Sequence, residues 1–143
     1  YTMNTQHKTI AIFDSDGHTA ENIKKMIESG VKHFNLTILT AHNIIEITKI
    51  LNDRTDIDLL IMEIQDDSDQ EELDLITKAR NEQKKHLRIV VHTFDERIVN
   101  SQSGDFANHI PRRDRFMKGH RDGDFPGTED SLRSKIRDWL GAL

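Results

Sequence analysis

The sequence predicts an α/β fold in which a doubly wound, five-stranded parallel sheet is covered by helices on both faces, giving three layers. Short apolar runs alternate with helix-period segments along most of the chain. One of these runs, IDLLIMEI at 57–64, is almost continuously apolar, as is typical of a central parallel strand that is buried on both faces. Several runs also end in an acidic or hydroxyl residue.

Composition indicates one soluble domain. The chain has 143 residues, of which 31% are charged and 35% hydrophobic, which suits a single core. No apolar run approaches the roughly 20 residues that span a bilayer, and no signal peptide is evident, so we expect a cytoplasmic protein without membrane contact. Without cysteine, disulfides and thiolate zinc sites are excluded. The net charge of −5 argues against nucleic-acid binding through this domain.

The polar N-terminus precedes the first strand and helix. Residues 1–7 lack periodicity, so we predict a flexible segment there and one domain over 8–142. KTIAIF at 8–13 is the first predicted strand, and a helix is predicted over 19–29 with Thr19 as its N-cap. Its apolar face consists of Ala20, Ile23 and Ile27.

The same alternation continues through the middle of the chain. Strands are predicted at 34–40 and 57–64, and helices over 41–53 and 69–84. The apolar face of the first of these helices consists of Ile44, Ile47, Ile50 and Leu51. The second is highly charged, and its inward stripe consists of Leu73, Ile76 and Ala79.

The last third of the chain is less regular. A strand is predicted at 87–94, and a short edge strand at 114–119. Residues 95–111 leave helix and loop both open, since serines and a glycine interrupt the apolar positions. Thr128 is the predicted N-cap of a final helix. Its apolar stripe consists of Leu132, Ile136, Trp139, Leu140 and Leu143.

The predicted strand ends carry the candidate functional residues. Ligands of doubly wound sheets bind at the carboxyl ends of the strands. The residues at those ends are Asp14, Ser15 and Asp16 after strand one, Glu63 on strand three, Thr93 on strand four and Lys118 on strand five.

The predicted strand ends carry, in chain order, an acidic pair, a central acid, a threonine and a lysine. This pattern resembles that of the receiver domain of two-component response regulators. The segments that carry the resemblance are IAIFDSD, DLLIMEI, IVVHTF and RFMKG. The resemblance implies a flavodoxin- or CheY-like (βα)5 fold and a role in phosphorelay signal transduction. It also implies a protein partner, either a kinase, an output protein or a second copy bound through the 95–142 face.

The resemblance also assigns roles to single positions. Asp14 matches the first acid of the pair, and Glu63 stands at the phospho-acceptor position. Ser15 stands where the second acid, a direct magnesium ligand, is usual, and Asp16 comes one position later. Thr93 matches the switch residue.

Three further positions depart from, or complete, the family pattern. Phe94 stands where a small residue usually leaves room for the phosphoryl group, and Arg115 where an aromatic switch residue is usual. Lys118 matches the family's lysine, but Gly119 replaces the proline that normally follows it.

These departures predict a pseudo-receiver. Phosphoryl transfer depends on positioning and on charge neutralisation by magnesium, and magnesium needs near-octahedral oxygen ligands. The possible ligands here are Asp14, Asp16 and Glu63, so any magnesium site is weakened. We therefore expect no required cofactor, no ordinary phosphorylation and no enzymatic turnover.

Two other interpretations use the same residues. The segment FDSDGHT resembles the signature of haloacid-dehalogenase-like phosphatases, which implies a magnesium-dependent phosphohydrolase with Asp14 as nucleophile and Asp16 as general acid/base. His18 stands where that signature has threonine, and no later strand supplies the family's last acidic pair. Within the receiver family, phosphorylation at a substitute acid such as Asp66 is the other alternative.

Two features keep a structural and a functional interpretation open. Glu63 either holds Lys118 as a phospho-aspartate does, or forms an ordinary ion pair with it. The segment HIPRRDRFMKGHR at 109–121 is basic. It either docks an acidic partner or phosphate backbone, or is an edge strand protected by charge.

Overall fold

Five parallel strands form the central sheet of the computed structural model, which describes residues 7–31, 35–65, 70–83, 87–100, 109–117 and 135–140. The strands are β1 (His7–Phe13), β2 (Asn35–Ala41), β3 (Leu59–Glu63), β4 (Arg88–Thr93) and β5 (Arg115–Met117). The helices are α1 (Gly17–Gly30), α2 (Ile44–Asp53), α3 (Gln70–Glu82), α4 (Glu96–Asn100) and α5 (135–140).

The strand order is β2-β1-β3-β4-β5, and each neighbouring pair is parallel. This is the flavodoxin-like order, in which the direction of winding reverses between β1 and β3. The predicted fold class is therefore confirmed. The reversal leaves a crevice outside the carboxyl ends of these two strands, which is where such folds bind ligands.

Successive side chains of the inner strands point to opposite faces and form two separate cores. On β3, Leu60 and Met62 belong to the core beneath α2 and α3. Leu59 and Ile61 belong to the core beneath α1 and α5. This alternation follows from the period of two in a strand, and it establishes the three predicted layers.

The first helix begins two residues earlier than predicted. Asp16, rather than Thr19, is the N-cap of α1, and its carboxylate accepts a hydrogen bond from the backbone N–H of His18 at 3.0 Å. Thr19 lies inside the first turn and donates its hydroxyl to the same carboxylate at 3.1 Å. The predicted apolar face is confirmed, since three residues of α1 are buried: Ala20, Ile23 and Ile27.

The second helix begins three residues later than predicted because Asn43 caps it. The Asn43 side chain accepts from the backbone N–H of Glu46 at 2.8 Å and donates to the Glu46 carboxylate at 2.9 Å. Extended backbone continues through Ala41, the last residue of β2. The predicted apolar face packs on the core, with Ile47 and Leu51 buried and Ile44 and Ile50 partly buried.

The remaining elements differ mainly at their ends. Helix α4 occupies part of the ambiguous segment 95–111, and β5 begins one residue later than predicted because Asp114 closes a 3-10 turn, Arg112–Asp114. Residues 1–6, Thr128, Leu132 and Leu143 lie outside the described residues. In α5, three residues of the predicted stripe are buried: Ile136, Trp139 and Leu140. No helix in the described ranges combines the length and hydropathy needed to cross a bilayer.

Two isoleucines on α2 test the packing. Ile47 is fully buried, whereas Ile45 is 80% exposed. We expect Ile47→Ala to lower the free energy of unfolding by about 2–5 kcal/mol, because it removes buried methylenes and leaves a cavity. The matched Ile45→Ala change should stay within about 0.5 kcal/mol. Urea denaturation of both variants measures this, and equal losses would contradict the described orientation of α2.

Asp56 gives a prediction on acid stability. Arg54 donates to both Asp56 carboxylate oxygens, at 2.9 and 2.8 Å, and these bonds lower the pKa of Asp56 from 3.8 to about 2. Because the folded pKa is the lower one, the pair stabilises the fold above the unfolded pKa, and this stability is lost as pH falls towards the folded pKa. The Asp56 side chain is 45% exposed, so screening limits the contribution to less than about 1 kcal/mol.

Urea denaturation at neutral and at acid pH provides the measurement. Asp56→Asn should destabilise the protein at neutral pH, and the difference from the unmodified protein should shrink at acid pH. Asp53→Asn, which changes an exposed acid on α2, is the control. If the loss of stability caused by Asp56→Asn grew on acidification, the direction assigned to the pKa shift of Asp56 would be wrong.

Candidate functional site

A pocket of about 310 Å³ opens at the carboxyl ends of β1 and β3. Its walls include Ser15, Asp16, Glu63, Gln65 and Phe94. The fold explains this assembly, because β1 and β3 are adjacent and the chain leaves both of them at the same edge of the sheet. The pocket thus brings together most of the predicted site residues of strands one and three.

Glu63, the last residue of β3, is only 5% exposed, and its carboxylate is held by the loop after β1. Its Oε1 atom accepts from the Ser15 hydroxyl at 2.6 Å and from the Ser15 backbone N–H at 3.1 Å. Hydrogen bonds to a carboxylate are stronger than those between neutral groups. Ser15, which stands where the family pattern has a magnesium-binding acid, therefore donates hydrogen bonds to Glu63.

Gln65 adds a third donor to this arrangement. Its side-chain nitrogen lies 3.4 Å from Glu63 Oε1 and 3.0 Å from the Ser15 hydroxyl oxygen. Its backbone N–H donates at 3.1 Å to Glu72, a carboxylate of α3 that is only 3% exposed. Sequence reasoning missed both Gln65 and Glu72. The available signals were a polar residue just past the strand end and an acid on the inward side of a charged helix.

Asp14 is fully buried at the end of β1. Its Oδ1 accepts from the backbone N–H of Asp16 at 2.8 Å, and its Oδ2 lies 3.6 Å from Nε2 of His92. His92 lies on β4, opposite Glu63 in the β3–β4 register, and is only 1% exposed. His92 is therefore packed inside the sheet, and the sequence analysis did not foresee its contact with Asp14.

Asp16 lies at the pocket wall, but its carboxylate is used for capping. The hydroxyl of Thr19 and the backbone N–H of His18 donate to it, and these bonds lower the pKa of Asp16. Asp16 is therefore held as a carboxylate pointing at the first turn of α1.

The predicted switch residues lie on two further strands. Thr93 is fully buried at the end of β4, and its hydroxyl oxygen accepts from the backbone N–H of Asp95 at 2.9 Å. The Phe94 ring is 70% exposed beside the pocket. Lys118 and Gly119, with the substitute acid Asp66, lie outside the described residues.

Arg115, the predicted counterpart of an aromatic switch residue, is buried away from the walls of the pocket. Its guanidinium donates to the backbone oxygen of Ile110 at 2.9 and 2.7 Å and to that of Ile98 at 3.2 Å. Burial lowers the pKa of Arg115. In the described contacts this side chain therefore has a structural role, since it bonds the backbone on both sides of the connection between α4 and β5.

The three carboxylates that the sequence offered as magnesium ligands all accept hydrogen bonds within the chain. Asp14 and Glu63 accept from the loop after β1, and Asp16 accepts from the first turn of α1. Among the described residues, no three His, Cys, Asp or Glu side chains are grouped to hold a metal ion.

Comparisons with known proteins show the fold. No family model matches the sequence, and no curated protein matches it. Among solved structures, the chain is similar to a CheY-like response regulator receiver domain from Methanospirillum hungatei, with 19% identity, 96% of each chain covered and a TM-score of 0.68.

Two other solved structures support the same fold. A signal receiver domain of a histidine kinase from Clostridium thermocellum has 16% identity, coverage of 93% of this chain and 97% of the other, and a TM-score of 0.65. A chain from the complex of the CheA3 P1 domain with CheY6 of R. sphaeroides has 15% identity, coverage of 95% and 98%, and a TM-score of 0.64.

A double-mutant cycle tests the hydrogen bond between Ser15 and Glu63. We expect Ser15→Ala to lower the free energy of unfolding by about 1 kcal/mol, because it removes a donor to a nearly buried carboxylate. In a Glu63→Gln background the loss should be smaller, with a coupling of about 0.5 kcal/mol or more.

Thr19→Ala in the same Glu63→Gln background is the control, since the Thr19 hydroxyl bonds Asp16. Urea denaturation of the single and double variants supplies the values. Additive effects of Ser15→Ala and Glu63→Gln would contradict the described contact.

Proposed function

We propose that this chain is a receiver-like regulatory module of signal transduction that acts by binding protein partners and is not phosphorylated in the ordinary way. One observation carries the proposal. At the carboxyl end of the central strand, Glu63 replaces the usual aspartate, and Ser15 donates to it through both its hydroxyl and its backbone N–H.

The geometry supports a site without phosphoryl transfer. Transfer to a carboxylate needs an acceptor oxygen in line with the leaving group and a metal ion that neutralises charge. Glutamate places its oxygen about one C–C bond further from the strand than aspartate does. Its Oε1 is also held by Ser15, whose hydroxyl replaces a magnesium ligand. Both changes oppose the same reaction, and any magnesium site is correspondingly weakened.

The described contacts also favour a binding module over a phosphohydrolase. A carboxylate nucleophile must reach its substrate, whereas Asp14 is fully buried and accepts from the backbone of Asp16. A general acid must give up a proton, whereas Asp16 is held ionised by its capping bonds, which lower its pKa. These two features support a protein without turnover of its own.

A protein partner suits the surface as well as the fold. One structure of this fold holds CheY6 in complex with the P1 domain of CheA3. In this chain, Arg112 and Arg113 are exposed on the turn before β5, within the 95–142 face. An acidic protein surface would complement them. A kinase, an output protein or a second copy remain the predicted partners, in the cytoplasm.

Phosphoryl-donor treatment tests the proposal. Incubation with acetyl phosphate and magnesium should leave the intact mass unchanged, and a generic phosphatase substrate should release no phosphate. The Ser15→Asp, Glu63→Asp double variant restores the usual acids and should gain one phosphoryl group. A phosphoryl adduct on the unmodified protein would refute the pseudo-receiver, and phosphate release that depends on Asp14 would favour the phosphohydrolase.

A further inference from the structure

Among the described strands, β2 forms one edge of the sheet, and its own residues carry none of the usual protection of an edge strand. Its seven residues, NLTILTA, include no charged residue and no proline. Its only hydrogen-bonded neighbour among the described strands is β1. Edge strands are normally shortened, charged or interrupted to prevent pairing. The opposite edge strand, β5, has three described residues and follows a turn that carries Arg112 and Arg113.

A groove of about 370 Å³ runs beside this edge, between α1 and β2. Its lining consists of three apolar residues, Val31, Leu36 and Ile38, and two charged ones, Lys24 and Glu28, and most of the surface that it exposes is polar. Leu36 and Ile38 are only partly buried, although both pack on the core beneath α1. The groove therefore leaves the α1 side of β2 open to a strand added at this edge.

We propose that β2 pairs with β2 of a second copy, in antiparallel orientation, to form a homodimer in which two five-stranded sheets join into one. Strand addition satisfies the backbone groups along an exposed edge and gives specificity through alternate side chains. This interface is independent of the function proposed above. It uses the edge opposite β5, and therefore a different surface from the one that carries Arg112 and Arg113.

Charge complementarity identifies the occupant as a second copy. A twofold axis perpendicular to the sheet keeps the same face of both subunits upward, so α1 lies beside α1 of the second copy. Lys24 and Glu28 are one helical turn apart and have opposite charges. The rotation reverses their order, and it places Lys24 opposite Glu28 of the second copy, twice in each dimer.

The strand register agrees with this arrangement. On α1, Glu21 lies level with Thr40, whose hydroxyl is 3.3 Å from its carboxylate. The helix runs back along β2, so Lys24 lies near the level of Ile38 and Glu28 near that of Leu36. Pairing centred on Thr37 places Leu36 opposite Ile38 of the second copy. The same register therefore aligns the apolar pairs and the charged pairs.

Charge reversal on α1 tests the dimer without disturbing the core. Sedimentation velocity over a concentration series should show a monomer–dimer equilibrium for the full chain. Lys24→Glu should weaken dimerisation by about tenfold, because it replaces two attractive pairs with repulsive ones. Glu28→Lys should do the same, and the double variant Lys24→Glu, Glu28→Lys should restore the original affinity. Lys25→Glu, a neighbouring exposed change, is the control.

Hydrogen exchange identifies the surface that the dimer uses. Backbone amides of β2 should exchange more slowly at concentrations that favour the dimer, while those of β5 should not change. A monomer at every concentration would overturn the proposal. So would a dimer that leaves β2 exchange unaltered, or equal weakening by Lys24→Glu and Lys25→Glu. Slower exchange of the β2 amides only after a different protein is added would also overturn it.

Discussion

Burial of β3 on both faces is the constraint on which the rest of the structure depends. All five of its residues are buried, and helices cover both sides of the strand. A charged side chain is tolerated there only where the strand ends and donors are available. Glu63 occupies that place. The parallel arrangement puts the end of β1 beside it, so that Ser15 is the nearest donor among the described residues.

The candidate site is consequently satisfied by the chain's own groups. Glu63 accepts from Ser15 and Gln65, Asp14 accepts from the backbone of Asp16, and Asp16 accepts from the first turn of α1. These hydrogen bonds hold the loops at the carboxyl edge of the sheet. They support the proposal of a module that acts by binding partners.

Periodicity was sufficient to predict the sheet, the carboxyl ends of β1 to β4 to within one residue and most of the inward faces of the helices, because burial imposes those patterns directly. On α3 it missed Leu75, which is buried, and gave Leu73, which is only partly buried. It could not choose the cap of α1, since Asp16 and Thr19 are both good N-cap residues. The contact between Asp14 and His92 joins residues from separate strands, and the bond from Gln65 to Glu72 joins a loop to a helix. Such contacts depend on side-chain directions that a single sequence does not specify.

The hydrogen bonds of Arg115 affect how freely the length of the chain between α4 and β5 can change. Its guanidinium joins the backbone oxygens of Ile98 and Ile110, so one side chain at the start of β5 holds both ends of the connection from α4. The entropy cost of closing a loop rises only slowly with its length. A change in the number of residues between Ile98 and Ile110 would therefore add little to the entropy cost of holding these two points together. Loss of the Arg115 side chain would instead remove donors from both points at once.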